Sequence, residues 1–351
     1  MLNLEYLNDL NEAQNEAVSH IDGPLLIVAG AGSGKTKVLT SRIAHMIKQK
    51  KAFPNQILAV TFTNKAAREM QNRVSKILGK EAIGMTWLGT FHSISAKILR
   101  KHAQAVGLKS NFSIIDQDDQ LRLIKNISKA ENIDTKKISP NVIQSTIDRW
   151  KNKGWYPDDV ILRKRDPLEK SFLEIYKIYQ SKLIDLNSTD FGDLILHCVK
   201  IFERNKDISE IYSRNFKYIL VDEYQDTNHI QSKWLLHLAK YHKNISCVGD
   251  DDQSIYSWRG AEIKNFLEFD KIYENTKIIR LEKNYRSTQN ILSVASKLIE
   301  NNQSRVGKKL FTNGESGDLV SLNCYRSVKD EAIDISDKIE EYKKDFSLNN
   351  M

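Results

Sequence analysis

Cysteine is scarce in this sequence, and the few cysteines are not spaced for a metal site or a disulfide framework. Only three occur in 351 residues, and Cys198, Cys247 and Cys324 lie far apart. Zinc sites and disulfide scaffolds need cysteines at short or paired spacings. These three are therefore predicted to be reduced packing residues, which is typical of a cytoplasmic protein.

Long apolar runs, internal repeats and low-complexity tracts are also missing. No segment approaches the length of a membrane span, and the N-terminal stretch MLNLEYLNDLNEAQ is acidic and polar, unlike a signal or transit peptide. Hydrophobic residues make up 40% of the chain and charged residues 28%, as in ordinary globular proteins. We therefore expect two or three globular domains and no membrane partner.

Positive charge exceeds negative charge. The net charge is +8, and residues 96–190 hold 18 Lys and Arg against 13 Asp and Glu, which is +5 of that excess. A polyanionic partner would suit this balance. The charges are dispersed, however, and a solvated helical surface explains them equally well.

The stretch LLIVAGAGSGKT, residues 25–36, has the pattern of a phosphate-binding loop. Apolar Leu25–Val28 predicts a buried strand, and an amphipathic helix is predicted directly after the glycine-rich turn. Such a loop binds phosphate with backbone N–H groups, Lys35 reaches the β- and γ-phosphates, and Thr36 binds Mg²⁺. An ordinary glycine-rich strand–helix turn is the alternative. The expected nucleotide-binding residues here are Ala29, Gly30, Ala31, Gly32, Ser33, Gly34, Lys35, Thr36 and Lys37.

Three strand–helix units in series predict an α/β fold with a parallel, doubly wound sheet. The strands are expected at Leu25–Val28, Ile57–Thr61 and Ile83–Trp87, with helices from near Asn64 and over Thr90–Ala105. Ligands collect at the carboxyl ends of such strands. Aromatic and hydroxyl side chains there could contact nucleic acid or could be helix caps and core residues, and they include Phe62, Thr90 and His92.

Residues 97–187 have few strand signals and predict a helical domain inserted into the sheet domain. The sheet resumes at Phe216–Val221, which runs into Asp222 and Glu223. Asp222 would hold Mg²⁺, and Glu223 would activate the attacking water. The alternative is that these two acids only cap a strand. The phosphate-binding loop in the same chain favours the nucleotide site over this alternative.

Two later strands are also followed by polar residues suited to this chemistry. Ile245–Val248 precedes Gln253, which could contact a γ-phosphate, and the aromatic residues Tyr256 and Trp258, which could stack on bases. The intervening acids lack the ligand spacing of a Ca²⁺ loop. After Lys277–Leu281, Arg286 could act as an arginine finger, or it could be a surface arginine at a helix start.

Eight segments in order resemble the superfamily 1 DNA helicases of the UvrD/Rep/PcrA type. They are LNEAQNEAV, AGAGSGKT, FTNKAAREM, TFHSI, DFGDLI, VDEYQDTN, VGDDDQSIYSWRGA and LEKNYRS. The resemblance implies two RecA-like P-loop motor domains with helical insertions. It also implies ATP-driven 3′-to-5′ movement on single-stranded DNA or at a junction of single and double strands, with repair or replication proteins as possible partners.

The resemblance assigns roles by position. Gln14 would recognise adenine and Tyr285 would stack on it; from the residue alone, Gln14 could equally be a surface glutamine on the predicted helix Leu10–His20. Lys35, Thr36, Asp222 and Glu223 would form the phosphate, Mg²⁺ and base positions, with Gln253 and Arg286 on the γ-phosphate. The residues matched to single-stranded DNA contacts are Phe62, Thr90, His92, Tyr256 and Trp258.

The resemblance also divides the chain. Residues 1–96 and 196–280 would form the first motor domain, 97–195 the helical insertion, and 281–351 an incomplete second motor domain. The family's later motifs, including a second γ-phosphate arginine, do not follow, so the expectation is an N-terminal fragment of a helicase. The alternative function is an ATP- and DNA-binding module without steady turnover.

Overall fold

The computed structural model describes residues 5–133, 138–162, 167–302 and 305–344. Its centre is a six-stranded sheet in the order β3-β2-β6-β7-β1-β8, with every neighbouring pair parallel. A second, two-stranded sheet pairs β4 with β5. The strands are β1 Leu25–Ala29, β2 Ile57–Thr61, β3 Leu88–Thr90, β4 Ser113–Ile114, β5 Ser188–Thr189, β6 Tyr218–Val221, β7 Ile245–Gly249 and β8 Lys277–Leu281.

Helices surround the sheet on both faces and form most of the remaining regular structure, as expected for an α/β fold. Within the described ranges no helix is long and apolar enough to cross a membrane. The helices are α1 Glu5–Asn8, α2 Glu12–Ser19, α3 Lys35–Lys48, α4 Asn64–Leu78, α5 Phe91–His102, α6 Gln117–Ala130, α7 Pro140–Asn152, α8 Pro167–Asp185, α9 Phe191–Arg204, α10 Lys206–Asn215, α11 His229–Ala239, α12 Lys264–Leu267, α13 Phe269–Ile272, α14 Gln289–Ile299 and α15 Val328–Tyr342.

The central strands are continuous apolar runs because both of their faces are covered. Every residue of β1, β2, β6 and β7 is buried. Alternate side chains point to opposite faces of a strand. Leu26 and Val28 accordingly join a core with α5, α9 and α11, whereas Leu25 and Ile27 join a core with α2, α3 and α4.

A third apolar core belongs to the helices between β4 and β5. Its buried members run from Ile124 to Leu183 and come from α6, α7 and α8. Phe112 and Leu194, on either side in sequence, pack instead into the core of the sheet. The limits of the helical insertion at residues 97 and 195 therefore remain a prediction.

The prediction of a strand at Ile83–Trp87 is wrong. The edge strand is Leu88–Thr90, and the predicted segment is mostly a turn in which Gly84 has a φ of 97° and Ile83 is 77% exposed. Pairing begins only where the Ala59 N–H donates to the Trp87 carbonyl at 2.9 Å. The apolar residues of this segment were misleading because Ile83, Met85 and Trp87 alternate as in a strand, whereas the turn at Gly84 keeps most of the segment out of the sheet.

Candidate nucleotide site and nucleic-acid interface

The glycine-rich loop lies where β1 ends and α3 begins, at the carboxyl edge of the sheet. Gly34 precedes the first helical residue, Lys35, with a φ of 90° that L side chains rarely adopt. A Cβ on Gly34 would lie 2.7 Å from the Gln14 Nε2. The Ser33 hydroxyl donates to the Gly30 carbonyl at 2.7 Å and closes the loop. The loop thus leaves the N-terminus of a 14-residue helix open to an anion.

The two predicted halves of the site are in contact. The Lys35 Nζ lies 3.0 Å from the Glu223 Oε2 at the end of β6, although 188 residues separate them in sequence. Glu223 has a φ of 51°, a left-handed conformation that is uncommon outside glycine, asparagine and aspartate. Backbone strain of this kind often accompanies a functional position.

Asp222 is a suitable magnesium ligand. Its side chain is buried, and burial together with the neighbouring Glu223 carboxylate raises its pKa to about 7, while the Lys35 charge opposes this rise. A buried carboxylate without a close cation of its own favours the arrival of one. Thr36 lies in the first turn of α3, and oxygen donors of this kind suit Mg²⁺.

Gln225 is a site residue that the sequence analysis missed. Its buried amide donates through Nε2 to the Glu223 Oε2 at 2.9 Å and accepts through Oε1 from the Asp250 N–H at 3.0 Å. Gln225 thereby connects the acidic pair after β6 to the loop after β7. Only its place within the VDEYQDTN segment could have drawn attention to it, because glutamine has no strong preference for such a role.

The loop after β7 carries Gln253 next to an acidic triplet. Gln253 is exposed, and its Nε2 donates a short hydrogen bond to the Asp250 Oδ2. Asp250, Asp251 and Asp252 have the spacing of a metal cluster, but the Lys308 Nζ lies among them at 2.7, 2.7 and 2.6 Å. The Lys308 side-chain ammonium therefore lies among the three carboxylates, where a metal ion would otherwise lie.

The segment after β8 packs against the glycine-rich loop. The Tyr285 N–H donates to the Gly32 carbonyl at 2.9 Å, and a Cβ on Gly32 would lie 2.6 Å from the Arg286 Cβ. The buried Asn284, which the sequence analysis also missed, donates from Nδ2 to the Ala31 carbonyl at 2.7 Å. Tyr285 and Arg286 are exposed beside the loop, where a nucleotide could reach them.

Gln14 is not the surface glutamine of the alternative interpretation, because it is only 1% exposed. Its Oε1 accepts from the Asn11 N–H at 3.1 Å and its Nε2 donates to the Ser33 carbonyl at 2.9 Å. The Asn11 side chain in turn donates to the Tyr285 hydroxyl at 2.9 Å. Gln14 thus caps α2 and supports the glycine-rich loop, and both Gln14 and Tyr285 lie at the same side of that loop.

The residues predicted to contact DNA form two groups. Phe62, Thr90 and His92 lie at the ends of β2 and β3; Phe62 packs on Phe91 with ring centroids 5.5 Å apart, and Thr90 caps α5 through Ser93. Tyr256 and Trp258 follow β7, are 37% and 72% exposed, and have ring centroids 6.4 Å apart. The Arg259 guanidinium lies 4.6 Å from the Trp258 ring. Trp258 is therefore free to stack on a base rather than sealed in a core.

Comparison with known proteins gives two domain families that follow each other along the chain. Residues 10–274 match the UvrD/REP helicase N-terminal domain and residues 279–351 the UvrD-like helicase C-terminal domain. A probable DNA helicase II homolog of Rickettsia conorii is 47% identical over 352 residues, which cover 99% of this chain and 53% of that protein. ATP-dependent DNA helicase PcrA of Bacillus subtilis is 47% identical over 322 residues, covering 92% of this chain and 43% of that protein.

The chain spans about half the length of the curated relatives it matches. Our expectation of an N-terminal fragment is withdrawn, because the match to the Rickettsia conorii protein covers 99% of the chain. The order of the eight motifs, the parallel sheet and both domain matches all indicate the same family. This chain belongs to the UvrD/REP helicase family.

Proposed function

We propose that this protein is an ATP-dependent DNA helicase or translocase that couples ATP hydrolysis to 3′-to-5′ movement on single-stranded DNA. The observation that carries the proposal is the contact between Lys35 and Glu223 at 3.0 Å, beside the buried Asp222. The relatives' names support the DNA helicase activity, and the family resemblance supplies the direction.

The geometry suggests what each side chain does when ATP binds. Phosphate oxygens would compete with Glu223 for the Lys35 ammonium, since both are anionic partners of the same cation. Glu223, released from Lys35 but still held by Gln225 at 2.9 Å, could then accept a proton from the attacking water. Mg²⁺ held by Asp222 and Thr36 would neutralise phosphate charge in this chemistry.

DNA would bind at the aromatic residues that follow β2, β3 and β7. Trp258, at 72% exposure, offers the largest free ring, and Tyr256 lies next to it. Because Gln253 precedes these rings by a few residues in the same loop, a change at the phosphate could alter the hold on a base.

The test is ATP turnover by the purified chain with and without a single-stranded oligonucleotide. We expect stimulation by DNA, and we expect Glu223→Gln to lower kcat on the order of 10²-fold or more while ADP still binds. Glu300→Gln, at an exposed position on the C-terminal end of α14, is the matched control and should turn over normally. Binding of ATP and DNA without turnover would refute the proposal.

The direction of movement along single-stranded DNA is tested by a separate assay. Streptavidin on biotinylated single strands is displaced from the end towards which a translocase moves. Faster displacement from 5′-biotin than from 3′-biotin is the expected result, and the reverse order would exclude 3′-to-5′ movement.

A further inference from the structure

We infer that Lys308 is a positioning residue for the γ-phosphate contact of Gln253, acting through Asp250. This inference rests on the proposed function. Lys308 lies 55 residues after Gln253 in sequence, in the segment Arg305–Phe311, to which neither the sequence analysis nor the proposed mechanism assigns a role.

The first step of the argument is the enclosure of the Lys308 ammonium. Its side chain is 1% exposed, and its Nζ lies within 2.7 Å of a carboxylate oxygen from each of Asp250, Asp251 and Asp252. The ammonium donates hydrogen bonds to Asp251 and Asp252 and forms an ion pair with Asp250. Together with the Arg305 guanidinium on Asp252, this buried cation helps to fix where the three carboxylates lie.

The second step concerns the two oxygens of the Asp250 carboxylate, which have different partners. Its Oδ1 forms an ion pair with the Lys308 Nζ at 2.7 Å and accepts a hydrogen bond from the Asp252 N–H at 3.1 Å, whereas its Oδ2 accepts from the Gln253 Nε2. The amide of Gln253 is therefore oriented by a carboxylate whose other oxygen is fixed by Lys308. With Nε2 engaged, the remaining N–H and the Oε1 of this exposed amide are available to a ligand.

The third step is that the segment carrying Lys308 is itself held in place. The Val306 N–H donates to the Asp251 Oδ2 at 2.8 Å, and the Phe311 N–H donates to the Glu282 carbonyl at 3.0 Å. Leu310 approaches the phosphate-binding loop so closely that a Cβ on Gly30 would lie 2.4 Å from its Cδ2. The segment thus touches both the phosphate-binding loop and the acidic triplet.

The test compares a triphosphate with a diphosphate, because only the triphosphate has a γ-phosphate. Affinities of the full chain for ADP and for a non-hydrolysable ATP analogue are measured with Mg²⁺ present. We expect Lys308→Met to lower the preference for the triphosphate analogue about 10-fold while the affinity for ADP changes little. Lys309→Met is the matched control, since Lys309 is the exposed neighbour, and it should keep the wild-type preference.

A double-mutant cycle separates positioning from general damage. If Lys308 acts through Gln253, Gln253→Ala lowers the preference by itself, and Lys308→Met adds nothing to it. Lys308→Arg, which keeps the charge, should restore part of the preference. Should Lys308→Met fail to fold, Lys308→Gln, which keeps a neutral N–H donor group, enters the same cycle.

The inference is overturned if the Lys308 variants keep the full triphosphate preference, or if their loss adds to that of Gln253→Ala. Its failure is distinguishable from failure of the proposed function, which would appear in the wild-type chain as a lack of DNA-stimulated turnover. A wild-type chain that hydrolyses ATP, with a Lys308→Met variant of unchanged preference, would remove Lys308 alone.

Discussion

Glu223 is the residue at which stability and activity conflict most directly. Its φ of 51° places the backbone in the left-handed region, at a cost on the order of 1–3 kcal/mol for a residue of this type. Its carboxylate also faces that of Asp222, whose pKa it helps to raise to about 7. The base that we propose at this position would offset that cost in function.

Replacing Glu223 by asparagine should therefore separate the two properties. Asparagine tolerates the left-handed region and removes a negative charge from beside Asp222. We expect ATP turnover to be lost while the free energy of unfolding stays equal or rises by up to about 1 kcal/mol. Urea unfolding measures this, and a clear loss of stability would show that the pair with Lys35 matters more than the strain.

Replacing Gln14 should have two separable effects, one on stability and one on the selectivity for the base of the nucleotide. Its hydrogen bonds to Asn11 and Ser33 cap α2 and support the loop, so Gln14→Ala should cost about 1 kcal/mol of unfolding free energy. If it also recognises adenine, the same variant should narrow the difference between the KM values for ATP and GTP. A stability loss with unchanged base selectivity would leave Gln14 a structural residue.

At the scale of elements, the end of α7 joins the helical core to the sheet through a buried ion cluster. The Lys151 Nζ lies 2.5 Å from Asp190 and 2.8 Å from Asp193 at the start of α9, with all three side chains buried. The attraction of these two carboxylates raises the pKa of Lys151 despite its burial. The neighbouring Asn152 accepts a hydrogen bond from Asn228 at 3.0 Å.

Removing the cation from this cluster should be severely destabilising. Lys151→Met leaves two buried carboxylates without a cation, and we expect a loss of about 3–5 kcal/mol in unfolding free energy. Lys125→Met, at an exposed position of α6, is the matched control and should change it by less than about 0.5 kcal/mol. A small effect at Lys151 would mean that the two elements are held together by apolar packing alone.

The same region predicts a pH dependence of stability. Burial, with a smaller contribution from the Lys151 charge, lowers the pKa of His197 from 6.5, whereas Asp193 and Asp190 oppose the shift; its Nδ1 is hydrogen-bonded to Tyr156. Because the unfolded imidazole binds a proton at a higher pH than the native one, stability present above pH 6.5 falls as the pH drops.

His197→Asn, whose amide oxygen can replace Nδ1, should flatten this dependence by at most about 1.4 kcal/mol per pH unit. Urea midpoints between pH 7 and pH 5 measure it. His229→Asn, at an exposed position, should keep the wild-type slope. Equal slopes in all three proteins would show that His197 titrates normally in the folded state.

At the scale of the whole molecule, the parallel sheet brings distant segments to one edge. The glycine-rich loop, the acidic pair and the Gln253 loop follow β1, β6 and β7, and β7 lies between the other two strands. The aromatic residues follow β2, β3 and β7 at the same edge. The carboxyl edge of the sheet can therefore carry both a triphosphate site and a surface for unpaired bases.

Trp258→Ala should weaken binding to single-stranded DNA by about 1–3 kcal/mol if the exposed ring stacks on a base. Phe53→Ala is the matched control, because Phe53 is 73% exposed but precedes β2 at the opposite edge of the sheet. Fluorescence anisotropy with a labelled oligonucleotide measures both affinities. Equal affinities for the two variants would remove Trp258 from the interface.

Local signals predicted most of the sheet. Apolar runs identified β1, β2 and β8 to within a residue, and the short motifs that contain Lys35 and Glu223 are in contact in the structure, although their roles stay a prediction. Contacts between distant segments were not predictable: Gln225, Asn284 and Lys308 contact residues far away in sequence, and their residue types carry no local preference for such contacts. The misplaced edge strand failed because three residues are too few for a periodic pattern.

The ammonium among Asp250, Asp251 and Asp252 has a consequence for the ionic environment of the protein. A metal at this place would leave when a chelator is added or when its free concentration falls. Lys308 is covalently attached, so dilution, chelation or a change in calcium level cannot remove this counter-ion. The shape of this loop should then not depend on the free concentration of a metal, whereas the Mg²⁺ that we propose to arrive with the nucleotide would remain exchangeable.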